Sequence, residues 1–187
     1  MSYYNRSRTT AADQEEVVKL MGCLKAELHS LWLTRPAILR CDPDQIRDRF
    51  ATEIAELLIN QAAISTASYH AEHVEIDRSL GDPVSLTPEA EEGLHWMENL
   101  VEANRNVREK LSPGLLRPLF MYAIEHEDSA NAQWAIDCMR EIKAPVARSD
   151  FFSSYAQTLV EEQRNKKRRV TTRWVCYERY GVRPPFL

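Results

Sequence analysis

Glycine is scarce in this chain, at five residues in 187. A sheet protein draws on glycine at its tight hairpin turns, and a phosphate-cradling loop needs glycines at close, fixed spacing. Neither GxGxxG nor GxxxxGKS/T occurs, so nucleotide-dependent chemistry has no support. The four cysteines, Cys23, Cys41, Cys138 and Cys176, form no CxxC pair. Their spacing fits neither a structural zinc site nor a compact disulfide framework, and buried reduced thiols are expected. GxSxG and HExxH are also absent, which leaves serine-hydrolase and zinc-protease mechanisms without a frame. No apolar run approaches transmembrane length, so no membrane association is expected. The first residues, MSYYNRSRTTAADQEE, lack the apolar core of a secretory signal, and a cytoplasmic or nuclear location is expected. The net charge of −4 argues against a nucleic-acid-binding face.

What is present is ordinary globular material: 44% apolar and 28% charged residues, with enough length for one domain and one core. The patterning is helical throughout. Asp13 is an N-cap candidate for a first helix with Val17, Leu20, Met21, Leu24, Leu28, Leu31 and Trp32 on one face. Thr34-Arg35-Pro36 ends it. Asp42-Pro43 opens a second, striped by Ile46, Phe50, Ile54, Leu57 and Leu58. It runs on to Arg78 unbroken or with a bend near Ser65 to Ser68. After a Gly81-Asp82-Pro83 loop, Thr87-Pro88 starts a third helix and Ser112-Pro113 a fourth. Pro118 falls near the start of the fourth, where it is tolerated. Asp128 or Ser129 caps the fifth. Ser149-Asp150 caps a sixth, with Phe152, Tyr155, Leu159, Val170, Trp174 and Tyr177 inward and Gly181 as its C-cap. The prediction is all-α: a single compact bundle of about six helices over 13–180, between a flexible N-terminus (1–12) and a tail (181–187).

Four segments carry a resemblance. They are Glu27-Leu28-His29-Ser30-Leu31-Trp32-Leu33-Thr34-Arg35-Pro36, the run from Tyr69 to Arg78, the run from Arg117 to Ala123 with Trp134 and Met139-Arg140-Glu141-Ile142, and Trp174 with Tyr177-Glu178-Arg179. In this order they resemble the C-terminal half of the regulatory domain of fungal zinc-cluster transcription factors. The six closely spaced cysteines of that family's DNA-binding part are absent. The resemblance therefore implies a helical body that often encloses an apolar, ligand-sized cavity. It implies no direct sequence-specific DNA binding.

Candidate chemistry falls in three places. Tyr69, His70 and His73 lie within about one helical turn. Two imidazoles at i, i+3 point to proton transfer or a polar pocket wall, or else to packing; no third metal ligand is in frame, and no metal or cofactor is expected. Trp96, Met97, Phe120, Met121, Tyr122 and Trp134 form an aromatic and methionine-rich set. It is either core or the wall of an apolar pocket, with Tyr122 and the surface segment Glu125-His126 at its edge. The basic run Arg164 to Arg169 reads as a solvated face, an import signal or a contact for an acidic partner.

Two functions follow as expectations. One is a stand-alone small-molecule-binding protein, and specifically a cofactor-independent cyclase, isomerase or pericyclase acting on an apolar polyene or terpenoid of fungal secondary metabolism. In it Tyr69, His70 and Tyr122 are the reacting groups, and His73, Trp96, Met97, Phe120, Met121 and Trp134 hold the substrate. The other is a regulator that does not touch DNA, acting as partner of a zinc-cluster factor; a homodimer is compatible with either. An enclosed apolar cavity favours the first, and a solid core with an exposed apolar patch the second.

Overall fold

Leu116–Glu125 is apolar apart from Arg117 and its last residue, Glu125, which marks a helix buried on nearly all sides. In the computed structural model, which describes residues 11–79, 86–107 and 110–183, nine of its ten residues are buried. Among the described residues the chain is all-α, with eight α-helices and no strand. They are α1 (Ala11–Thr34), α2 (Pro43–Arg49), α3 (Thr52–Ser79), α4 (Pro88–Val107), α5 (Leu116–Glu125), α6 (Ser129–Glu141), α7 (Ser149–Lys166) and α8 (Thr172–Val175). Central α5 packs against α3, α4, α6 and α7. Most of the 1–12 segment, the Gly81-Asp82-Pro83 loop and the end of the 181–187 tail lie outside the described residues.

Eight helices stand where about six are expected, because two expected helices are interrupted. The 43–78 segment breaks at Phe50, which is extended (φ −131°, ψ 152°), and α3 then runs unbroken through Ser65 to Ser68. Ile46 and Ala55 are both buried, at 1% and 0% exposure. In one continuous helix, residues nine apart sit on opposite faces. The break turns both inward, and it leaves Phe50, Ile54 and Leu57, expected on the inner stripe, exposed. The sixth helix stops at Lys167, a left-handed C-cap (φ 49°). Thr171 then accepts a hydrogen bond from the Trp174 amide to start α8, and a single π turn over Cys176–Tyr180 ends at Gly181 (φ 61°), the residue type that adopts this conformation without strain. Tyr177, expected inward, is exposed.

Local signals elsewhere divide: Ser149, expected as a cap, is the first residue of α7 and its hydroxyl donates to the Ile142 carbonyl oxygen at 2.6 Å, while Arg148 before it is left-handed (φ 52°) and makes no side-chain cap. Asp128 Oδ1 accepts from the Ala130 and Asn131 amides at 2.6 and 3.1 Å. Ser112 starts a 3-10 turn over Pro113–Leu115 that feeds α5, and Pro118 lies in the first turn of α5, where its missing N–H costs nothing. Asp13 is not a cap, since α1 already begins at Ala11.

The main core joins Ala67, Ala71 and Val74 of α3 to Leu94, Met97 and Val101 of α4, to Leu116 and the run Leu119 to Ile124 of α5, and to the inner faces of α6 and α7. A separate small cluster of Val17, Met21 and Ile76, with Leu24 and Leu28 beside it, attaches α1 to α3. An ion network crosses the main core. Arg78 and Arg169 both pair with Glu125, the latter at 2.9 Å, and Arg78 also donates to Gln163 Oε1 at 2.9 Å. Glu125, expected at the surface, is buried because the two guanidinium groups converge on it.

Candidate functional site

Three helices frame an open groove. On α1, Gly22, Lys25, Ala26 and His29 recur at i, i+3, i+4 and i+7, so they share one face beside the apolar stripe. Tyr69, His70 and His73 line it from α3, and Glu89 and Glu92 from α4. The groove measures about 540 Å³, within the size range of small-ligand sites. Beyond Lys25, His73 and Glu89 it meets a smaller recess of about 190 Å³, whose apolar walls are Val18, Met21, Ile76 and Ala90.

The aromatic groups hold the groove's shape. Tyr69 stacks on Trp32 with ring centroids 4.3 Å apart and planes 11° from parallel, and it meets His73 edge-on at 4.6 Å. Arg35 covers Trp32 from above, its guanidinium carbon 3.5 Å from the ring centroid. His70 lies parallel to Trp96 at 5.9 Å. The Tyr69 hydroxyl and His29 Nδ1 share a 3.2 Å hydrogen bond. Lys25 and Glu89 pair across the groove from α1 to α4. The α3–α4 contact behind His70 is close, since a Cβ at Gly93 would sit 3.4 Å from Val74 Cγ2 and 3.5 Å from the His70 carbonyl oxygen.

Burial sets the electrostatics. It lowers the His70 imidazole to about 4, with the neighbouring His73 adding to the effect. It also lowers His73, assisted by the Lys25 ammonium, and raises the Tyr69 phenol against the pull of Arg35. At neutral pH the groove therefore presents His70 as a neutral imidazole, able to accept one hydrogen bond and donate another. His73 Nε2 is buried and makes no hydrogen bond.

The nine residues singled out in the sequence divide three ways. Tyr69, His70 and His73 line the groove, and Trp96 flanks it. Met97, Phe120 and Met121 are packed core, at most 5% exposed. Tyr122 and Trp134 meet each other edge-on at 5.1 Å, apart from the groove lining, with their polar ends taken by α4 carboxylates. The Tyr122 hydroxyl donates to Glu98 at 3.2 Å and Trp134 Nε1 to Glu102 at 2.8 Å. Burial and the Glu98 charge raise the Tyr122 phenol, which opposes ionisation. Lys25, His29, Trp32, Glu89 and Glu92 were not singled out, although the i, i+3, i+4, i+7 face of α1 was available as a signal.

The cysteines also divide. Cys138 and Cys176 are buried, with Cys138 pushed up to about 12 by desolvation, whereas Cys23 is exposed and Cys41 half-buried. No cluster of three metal-ligating side chains occurs among the described residues, and no described helix is long and apolar enough to cross a membrane. No protein-family model, curated protein or solved structure matches the chain.

Proposed function

We propose that this chain is a small-molecule-binding protein and that its ligand occupies the groove between α1, α3 and α4. The observation that carries this reading is the convergence of His29, Tyr69, His70 and His73 on one ligand-sized space bordered by the Trp32 and Trp96 rings. Polar groups on an otherwise apolar inner surface either satisfy one another or meet a ligand. Here His73 Nε2 is left unsatisfied. The likeness of the Glu27–Pro36 and Tyr69–Arg78 segments to a ligand-responsive regulatory domain supports the same reading.

If the bound molecule reacts, the groove offers neutral imidazole for proton transfer and bordering aromatic faces for conformational restraint, although it is open rather than an enclosed cavity. A cofactor-independent isomerisation or cyclisation is the reaction class such groups serve. Tyr69, His70 and His73 are then the reacting or orienting groups. Thermal-shift screening of the wild-type chain against His70→Asn and Tyr69→Phe tests the site. Ligands that raise the wild-type melting temperature lose that effect in the variants, and equal shifts in all three proteins would place binding elsewhere.

A second reading, a regulator acting through another protein, is favoured by a specific distribution. Seven of the eleven exposed large hydrophobics among the described residues fall between residues 18 and 57, while the Met97–Phe120–Met121 set is solid core. On this reading these side chains are covered by a partner protein, and a second copy of the chain is the partner tested.

A further inference from the structure

Within the groove one corner differs in charge from the rest. Glu92 and Trp96 stand at i, i+4 on α4, so their side chains are neighbours on one face. His70 lies flat against Trp96 and completes the corner. Glu89 is neutralised by Lys25, whereas Glu92 has no ion pair among the described residues. The formal charges on the groove lining are then those of Lys25, Glu89 and Glu92, which leaves one uncompensated carboxylate. That carboxylate sits beside an indole and an imidazole. Carboxylate, neutral nitrogen acceptor and π face are the three groups that recognise an ammonium: by charge, by hydrogen bond and by cation–π attraction. An anionic ligand would instead have to take Lys25 away from Glu89.

The other end of the space is mainly apolar, although Thr87 and Asp77, which pairs with Arg169 at 3.9 Å, also line it. Past the Lys25–Glu89 pair, the recess walled by Val18, Met21, Ile76 and Ala90 offers burial to a hydrocarbon group. Gly22 and Ala26 keep the α1 wall low between the two ends, and a Cβ at Gly22 would meet nothing within 4 Å. The site is thus bipolar, acceptor-rich at Glu92–His70–Trp96 and greasy at Met21–Ile76.

The geometry points to an amphipathic organic amine as the ligand class, with its ammonium at the Glu92–His70–Trp96 corner and its apolar body directed toward the Val18–Met21–Ile76 recess. This inference rests on the groove being the ligand site. It adds the sign of the ligand's charge and its orientation.

Three probes that share a phenylalkyl body separate the two levels: 4-phenylbutylamine, 4-phenylbutanol and 4-phenylbutyrate, each titrated calorimetrically into the full chain at neutral pH. The amine binds tightest, and its affinity falls as salt is added. Loss of one charge-assisted contact makes Glu92→Gln weaken the amine about tenfold while leaving the alcohol unchanged. Trp96→Ala weakens the amine in the same direction. Glu92 and Trp96 are both exposed, so neither variant threatens the core, and circular dichroism melting verifies this. Glu91→Gln, an exposed neighbouring carboxylate outside the groove lining, leaves the amine affinity unchanged. Butyrate binding as tightly as the amine, or Glu92→Gln having no effect, would overturn the amine assignment and leave the groove standing. If none of the three probes binds, both the amine assignment and the groove fall.

Discussion

Glu125 shows how one side chain can tie the interior together. It receives Arg78 from α3 and Arg169 from the segment after α7, and it is only 6% exposed. Breaking a buried ion pair by removing one partner strands the other charge in a medium that solvates it poorly. Glu125→Gln is therefore expected to cost about 3–5 kcal/mol in urea denaturation. A loss no larger than that of an ordinary surface substitution would show that the two guanidinium groups are satisfied elsewhere. The same network changes the meaning of the basic run. Arg169 turns inward to Glu125, and Lys166 lies over Trp174 with its ammonium 3.1 Å from the ring centroid, while Arg164, Lys167 and Arg168 remain exposed. His70 gives a pH signature. Its folded value of about 4 lies below the unfolded 6.5, so the unfolded chain takes up a proton over this interval before the folded chain does. The contribution of the neutral imidazole to stability is complete above pH 6.5 and is lost as pH falls toward 4. Melting temperatures recorded between pH 7 and 4 should fall less steeply in His70→Asn than in the wild-type chain. Parallel curves would remove His70 as a contributor.

At the level of helices, attachment is uneven. The cluster of Val17, Met21 and Ile76 holds α1, whereas α5 is buried along nearly its whole length. Segments with few buried apolar contacts open at lower free energy than the global transition. Amide exchange of α1 is therefore expected to be faster than that of α5 and α6 under native conditions, and equal protection would mean that α1 belongs to the main cooperative unit. Gly114 marks a tight junction, since an added Cβ would lie 2.8 Å from Ile64 Cγ2 and 2.9 Å from Ile64 Cδ1. Gly114→Ala is expected to cost about 1–3 kcal/mol through overpacking, measurable by chemical denaturation. Helix starts at Pro43, Pro88, Asp128 and Thr171 depend on local hydrogen bonding or fixed φ, and three of the four are legible in sequence. The break at Phe50–Ala51 is not, because neither glycine nor proline marks it; it follows from the need to bury both Ile46 and Ala55. Asp13 misleads as a cap because α1 already begins at Ala11, which places Asp13 inside its first turn.

For the whole molecule, the sequence showed the all-α class because the 3.6-residue period persists along the chain, and it showed the central helix because Leu115 to Ile124 is apolar apart from Arg117. The candidate site was half legible. Tyr69, His70 and His73 are close in sequence and depart from the Leu/Ile stripe, but their partners Lys25 and His29 on α1 and Glu89 and Glu92 on α4 come together only through packing. Tyr122 and Trp134 misled, because aromatic residues serve a core as readily as a pocket and their polar ends find Glu98 and Glu102. Sedimentation velocity addresses the exposed hydrophobics between residues 18 and 57. A concentration-dependent dimer that Leu31→Glu abolishes supports self-association, and a monomer at every concentration contradicts it. The central claim, that the α1–α3–α4 groove is the ligand site, is tested most directly by side-chain NMR. The four tryptophans are built-in reporters, two at the groove (Trp32 and Trp96) and two outside its lining (Trp134 and Trp174). Titration with 4-phenylbutylamine should shift the indole signals of Trp32 and Trp96 together with the imidazoles of His29, His70 and His73, while Trp134 and Trp174 stay fixed. Movement of Trp134 with the groove indoles unmoved, or no movement at all, would contradict the account.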